Sequence, residues 1–156
     1  MENKEKDITN GADFRSYVLG ELSKLETLYD GELSWREEIF HNLVFLSTDW
    51  IWMTDVEGKY IYVSDKVTGL YGYSPEDMIG KMPHEFVTEE YVEAVKELEH
   101  YLLTTHSSLT NYEAVALNAT GDRVRTCTNC VPMFDKHSKF RGYLGIEKIL
   151  EVIEKE

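Results

Sequence analysis

Apolar residues recur along this chain with two different periods, and the change from one to the other near Trp50 marks out its organisation. From Phe14 they fall at Val18, Leu22, Leu25 and Tyr29, spacings of four, four, three and four that form one stripe on a helix. Gly31 ends that stripe. Ser34 and Glu37 then make a capping-box pattern, and Trp35, Ile39, Leu43 and Leu46 resume helical spacing. The first third therefore predicts two amphipathic helices, or one bent at Gly31. Residues 1–12 are charged or small, so disorder is expected there.

At Trp50 the period becomes two. In DWIWMT, Trp50, Trp52 and Thr54 share one face and Ile51 and Met53 the other. After the turn DVEG, KYIYVS repeats the alternation, with Tyr60 and Tyr62 on one face and Ile61 and Val63 on the other, so the two runs predict a hairpin. Both faces of that hairpin are apolar and each needs a cover, the preceding helices or a dimer partner being the expected second one. Two short helices follow, one from Ser64 through Leu70 and one opening at SPED, where Ser74 suits a cap and Pro75 the first helical position. Thr88 caps a longer helix through Thr105 with Tyr91, Val95, Leu98 and Leu102 as its apolar stripe. Three strands separated by the turns ATGD and DKHSK come next, and the tail returns to helical spacing at Ile149, Leu150 and Ile153. The fold class is α+β.

This order, together with particular residues, resembles the PAS domain family of sensory modules. The resemblance is carried by DWIWMTDVEGKYIYVSDKVTGLYGYSPEDMIGKMPHEFV, the turn ATGD, and VPMFDKHSKFRGYLGI. GYSPEDMIGK and FRGYLGI at their observed separation are its most specific parts. It divides the chain into an N-terminal helical extension (1–47), a PAS domain (48–148) and a C-terminal output helix (149–156). It also implies a five-stranded antiparallel sheet with helices on one face. The chain departs from the family pattern at the exit, where an Asp-Ile-Thr-like ending gives way to Glu147, Lys148 and Ile149.

The resemblance further implies a ligand cavity between the sheet and the long helix, with Ile51 and Met53 facing the N-terminal helices instead. On the first hairpin, the following loop and the helix, the candidate ligand-binding residues are Trp52, Thr54, Phe86, Tyr91 and Val95. On the later strands they are Thr126, Thr128, Cys130, Tyr143 and Glu147. Gly145 would leave room for a bound molecule, and an inward Glu147 needs a partner or a raised pKa. Light-sensing relatives carry a photoreactive Asn-Cys-Arg-Phe-Leu run where this chain reads KMPHEFV, which excludes a flavin photoadduct. His106 lies near the position of the iron ligand in haem-binding relatives. The cofactor stays open among none, a non-covalent small molecule, haem and flavin.

Composition narrows the function from another side. A chain of 156 residues, 42% of them hydrophobic, supports one domain and its extension. A net charge of −13 argues against nucleic acid and anionic membrane as partners. No run of about 18 apolar residues occurs, so a soluble, cytoplasmic protein is expected. Cys127 and Cys130 lie three apart in a strand, on opposite faces and about 10 Å from each other, beyond the roughly 7 Å that a disulfide spans. No second CxxC or histidine pair completes a metal site. Glycine-rich phosphate loops, GxSxG and HExxH are missing as well, and Glu147 has no nameable second acid, so no enzyme is expected. The leading expectation is a sensory module that binds a small molecule and relays its state through flanking helices, as the input part of a sensor histidine kinase or cyclase. It would pair as a homodimer through the N-terminal helices and act on a downstream effector. The rival is a ligand-free dimerisation or docking scaffold whose cavity is filled by side chains.

Overall fold

The computed structural model describes residues 34–153. Helix α1 (Ser34–Leu46) leads into a hairpin of β1 (Trp50–Thr54) and β2 (Tyr60–Val63). Helices α2 (Lys66–Tyr71) and α3 (Pro75–Met78), a 3₁₀ turn (Pro83–Phe86) and the long helix α4 (Glu89–Thr105) follow. Strands β3 (Leu109–Leu117), β4 (Arg123–Phe134) and β5 (Phe140–Ile153) complete one five-stranded antiparallel sheet in the order β2-β1-β5-β4-β3. The chain divides between Leu43 and Val44, and the sheet and its helices lie in the second unit. The stripe from Phe14 to Tyr29, the disorder expected at residues 1–12 and the first of the two helices expected to cover Ile51 and Met53 fall outside the described residues. No helix among those described is long and apolar enough to cross a membrane.

The same device closes each hairpin. Asp55 Oδ1 accepts the N–H of Glu57 and Lys59, Asp135 Oδ1 those of His137 and Lys139, and Asn118 Oδ1 those of Thr120 and Asp122. An Asp or Asn that bonds the backbone two and four residues on fixes the turn and with it the strand register. At α3 the expected cap is present: Ser74 accepts the Asp77 N–H and Asp77 accepts that of Ser74. Those Ser74 bonds hold the Asp77 carboxyl below the usual carboxylate range.

Two expectations are corrected. The first concerns β2, which is not a simple alternation. A register shift between Met53 and Thr54 pairs Thr54 with Tyr60 but Trp52 with Val63. Tyr60 and Val63 are therefore buried on the inner face, and Tyr62 sits opposite Met53 on the outer one. The second is the tail, where residues 149–153 continue β5 instead of forming an output helix. Along β4, Arg123, Val124 and Arg125 pair with Ile153, Val152 and Glu151. A helix at this point would leave that length of β4 as an unpaired edge. An Arg125–Glu151 ion pair at 3.4 Å adds to the pairing, and Ile149 turns inward opposite Thr126 against the core. Isoleucine and valine suit a strand at least as well as a helix, so the helical spacing was ambiguous.

Candidate functional site

The inner face of the sheet sets side chains from three adjacent strands side by side. Trp50 on β1 pairs with Glu147 on β5, which pairs in turn with Thr128 on β4. One rung further, Trp52 faces Gly145 and Gly145 faces Cys130. Glu147 thus stands between a tryptophan and a threonine, and both donate to it. Trp50 Nε1 lies 3.1 Å from Oε2 and Thr128 Oγ1 lies 2.7 Å from Oε1. A third donor comes from above the sheet, the Tyr71 hydroxyl on α2, 2.6 Å from Oε2. Val67 and Tyr71, one helical turn apart, are the two buried residues of α2, which places this hydroxyl over the sheet.

Glu147 is half-buried as a residue, yet its carboxylate is enclosed. Burial pushes its pKa above the ordinary 4.5, against the opposing pull of the Tyr71, Thr128 and Trp50 hydrogen bonds. Burial and the adjacent Glu147 carboxylate also push the phenols of Tyr71 and Tyr60 far up.

Beside this carboxylate lies a cavity of about 100 Å³. Aromatic rings form one end. Tyr60 meets Trp50 and Trp52 at centroid distances of 6.0 and 5.7 Å, and Phe86 meets Tyr73 edge-on at 5.3 Å. Helix α4 forms the roof with Val95, Leu98, Glu99 and Leu102, while Ala114 and Ala116 of β3 keep the floor low. Glu99 is tied to the 3₁₀ turn, accepting the His84 N–H at 2.9 Å and meeting His84 Nδ1 at 2.8 Å. Across Trp52 lies a smaller cavity of about 50 Å³ bordered by Thr54, Gly58, Leu103 and Tyr143.

Of the residues expected from sequence, Trp52, Phe86, Val95, Thr126, Thr128, Cys130 and Glu147 line the main cavity. Thr54 and Tyr143 line the smaller one. The Tyr143 hydroxyl lies 2.7 Å from Leu102 O and 2.9 Å from Ser107 O, and burial raises its pKa to about 12. Tyr91 borders neither cavity. His106 is the left-handed cap of α4, its ring stacked on Phe140 at 3.9 Å and away from both cavities. Gly145 does not open space for a ligand. A Cβ there would lie 2.1 Å from the Trp52 ring, so the indole already occupies the room. Cys127 and Cys130 are both free thiols, and burial pushes Cys130 up to about 11.

Sequence reasoning missed Tyr71 and Glu99 as site residues. The signal for Tyr71 was its position one helical turn after Val67. Glu99 carried none, because it sits on a helix whose other glutamates, among them Glu93 and Glu97, face solvent.

Sequence comparison gives the family to which this architecture belongs. The PAS fold family model matches residues 36–147, and the chain belongs to the PAS family. PAS domains are sensory and signalling modules, generally non-catalytic, that commonly mediate protein–protein interaction and dimerisation. The PAS domain of a Colwellia psychrerythraea protein is similar with a TM-score of 0.61 and 24% identity, over 70% of this chain and 93% of that one. The PAS domain of the fruit-fly ELK potassium channel gives 0.62 at 16% identity, over 72% and 95%. Drosophila melanogaster Cycle PAS-B, solved with bound ethylene glycol, gives 0.56 at 14%, over 65% and 99%. These structural likenesses concern the fold. No curated protein matches the chain.

Proposed function

We propose that this PAS domain binds a small molecule in the cavity beside Glu147 and relays its occupancy through α2 and α1 to an effector of the histidine-kinase or cyclase kind. The observation that carries the reading is the cavity itself. An apolar cavity of about 150 Å³ holds benzene, so the 100 Å³ present here suits a molecule of roughly four or five heavy atoms. The route outward is short. The Tyr71 hydroxyl at the end of α2 holds Glu147, and Lys66 at its start donates to Phe45 O in the last turn of α1 at 2.6 Å. A ligand that shifts Tyr71 together with Glu147 tilts α2 and so changes what Lys66 offers α1. It biases the output by its different affinity for the two positions. Phe45 and Leu46 of α1 are 72% and 74% exposed, an apolar surface that pairing with a second copy of the chain would bury.

Ala114→Leu separates this reading from the scaffold with a filled core. Its new methyl groups enter existing space, so folding stability should stay within about 1 kcal/mol of wild type. Saturable xenon-induced shifts of the Trp52 and Thr128 amides should weaken at least tenfold. A loss of several kcal/mol, with no xenon response in the wild type, would mean that side chains already fill the cavity.

A further inference from the structure

We propose that the cavity selects a small organic cation, an alkylammonium of about five heavy atoms, over neutral or anionic molecules of the same size. The inference rests on the small-molecule reading above and adds the chemistry of the ligand. Its basis is the charge of the lining. Glu147 on β5 and Glu99 on α4 border the cavity, and among the described residues no Lys, Arg or His does. An anion would meet two acidic side chains, and among the described residues the one basic partner near them, His84, is already engaged with Glu99.

The partners of Glu147 point the same way. Its three donors, Trp50, Tyr71 and Thr128, are all neutral, and among the described residues no basic side chain forms an ion pair with it. A buried carboxylate without a countercharge is costly, and a bound cation removes that cost. Three accepted hydrogen bonds leave roughly one of about four lone-pair positions for an N–H donor. The rings of Trp50, Trp52, Tyr60, Tyr73 and Phe86 supply the rest, because aromatic faces attract a cation while also burying its alkyl part. The Lys81 ammonium, 5.9 Å from the Phe86 ring centre, is exposed and does not line the cavity.

Around Glu147, Trp50 of β1, Tyr71 of α2 and Thr128 of β4 bond it directly and its charge acts on Tyr60 of β2, while Cys130 of β4 and Glu99 of α4, paired with His84, lie elsewhere in the cavity lining. Burial holds the Glu147 proton above the ordinary range, so the carboxylate that a cation needs forms as pH rises.

The test compares n-butylammonium, n-butanol and butyrate by calorimetric titration of the full chain. At pH 8 the ammonium should bind at least tenfold tighter than the alcohol, and butyrate weakest of the three. In Glu147→Gln the preference for ammonium over n-butanol should fall below threefold. If that variant does not fold, the wild type still decides. Between pH 5 and 8 n-butylammonium and n-butanol keep their own charge, so the preference for ammonium over the alcohol should grow with pH through the protein alone. A preference below threefold in the wild type, or tighter binding of butyrate, overturns the cation inference and leaves the cavity reading standing. Binding of none of the three overturns both.

Discussion

Gly142→Ala should lower folding stability by about 4 kcal/mol, a large part of the roughly 5–15 kcal/mol that a domain of this kind has. Two costs combine at this position. Gly142 has φ +120°, a conformation that side chains rarely adopt, and holding a non-glycine residue there costs about 1–3 kcal/mol. A Cβ would also stand 1.9 Å from Thr54 O and 2.9 Å from Asp55 O. These are backbone atoms of the neighbouring strand and its turn, so no rotamer change relieves the clash, and overpacking adds about 1–3 kcal/mol. The damage reaches the site, because the next residue, Tyr143, bonds the Thr54 hydroxyl through its N–H at 3.2 Å and starts the inward run to Glu147. Urea unfolding should show a lower midpoint with an unchanged slope. A loss under 1 kcal/mol would mean that β5 lies further from β1.

Replacing Glu147 has the second largest effect, and its pH dependence identifies the cause. Glu147→Ala leaves the Trp50 N–H and the Tyr71 and Thr128 hydroxyls without their acceptor, and each such buried group costs about 1–3 kcal/mol. With hydroxyl rotation relieving part of this, the expected loss at pH 5 is about 3 kcal/mol. Glu147→Gln keeps acceptor and shape and should recover most of it. Because the folded-state pKa lies above 4.5, the folded protein keeps a proton that the unfolded chain has released. That contribution is complete below pH 4.5 and is lost as pH rises from there through the raised folded value. The stability of the wild type relative to Glu147→Gln should therefore be level below pH 4.5 and fall as pH rises from there through the raised folded value. A difference that rises with pH would show an ionised, stabilising carboxylate.

Much of the fold was legible because local rules and tertiary needs agree in it. Trp50, Trp52 and Thr54 alternate cleanly, Ser74 and Pro75 announce α3, and Asp55, Asn118 and Asp135 occupy the turns that their side chains close. The β2 bulge was not legible, since YIYV alternates equally well in either register and only the pairing of Trp52 with Val63 decides. The tail was misread because Ile149, Leu150 and Ile153 fit helical spacing, and what holds them extended is an uncovered length of β4 far away in sequence. At the site, alternation together with the family resemblance pointed Glu147 inward. Its partners lie 97, 76 and 19 residues away, so the hydrogen-bond cluster exists only once strands β1, β5 and β4 are adjacent. Gly145 shows the reverse limit. A missing side chain suggests space, but the Trp52 indole fills it.

The most direct test of the account follows the amide and indole resonances of the full chain during titration with n-butylammonium or n-butanol, whichever binds more tightly. The Trp50 indole, Tyr71, Lys66 and Phe45 should shift together along one saturable curve, with the Asp135–Lys139 turn unmoved as the reference. Shifts confined to Trp50 and Tyr71 would contradict the relay through α2, and no saturable shift at any of the four would contradict the ligand site itself.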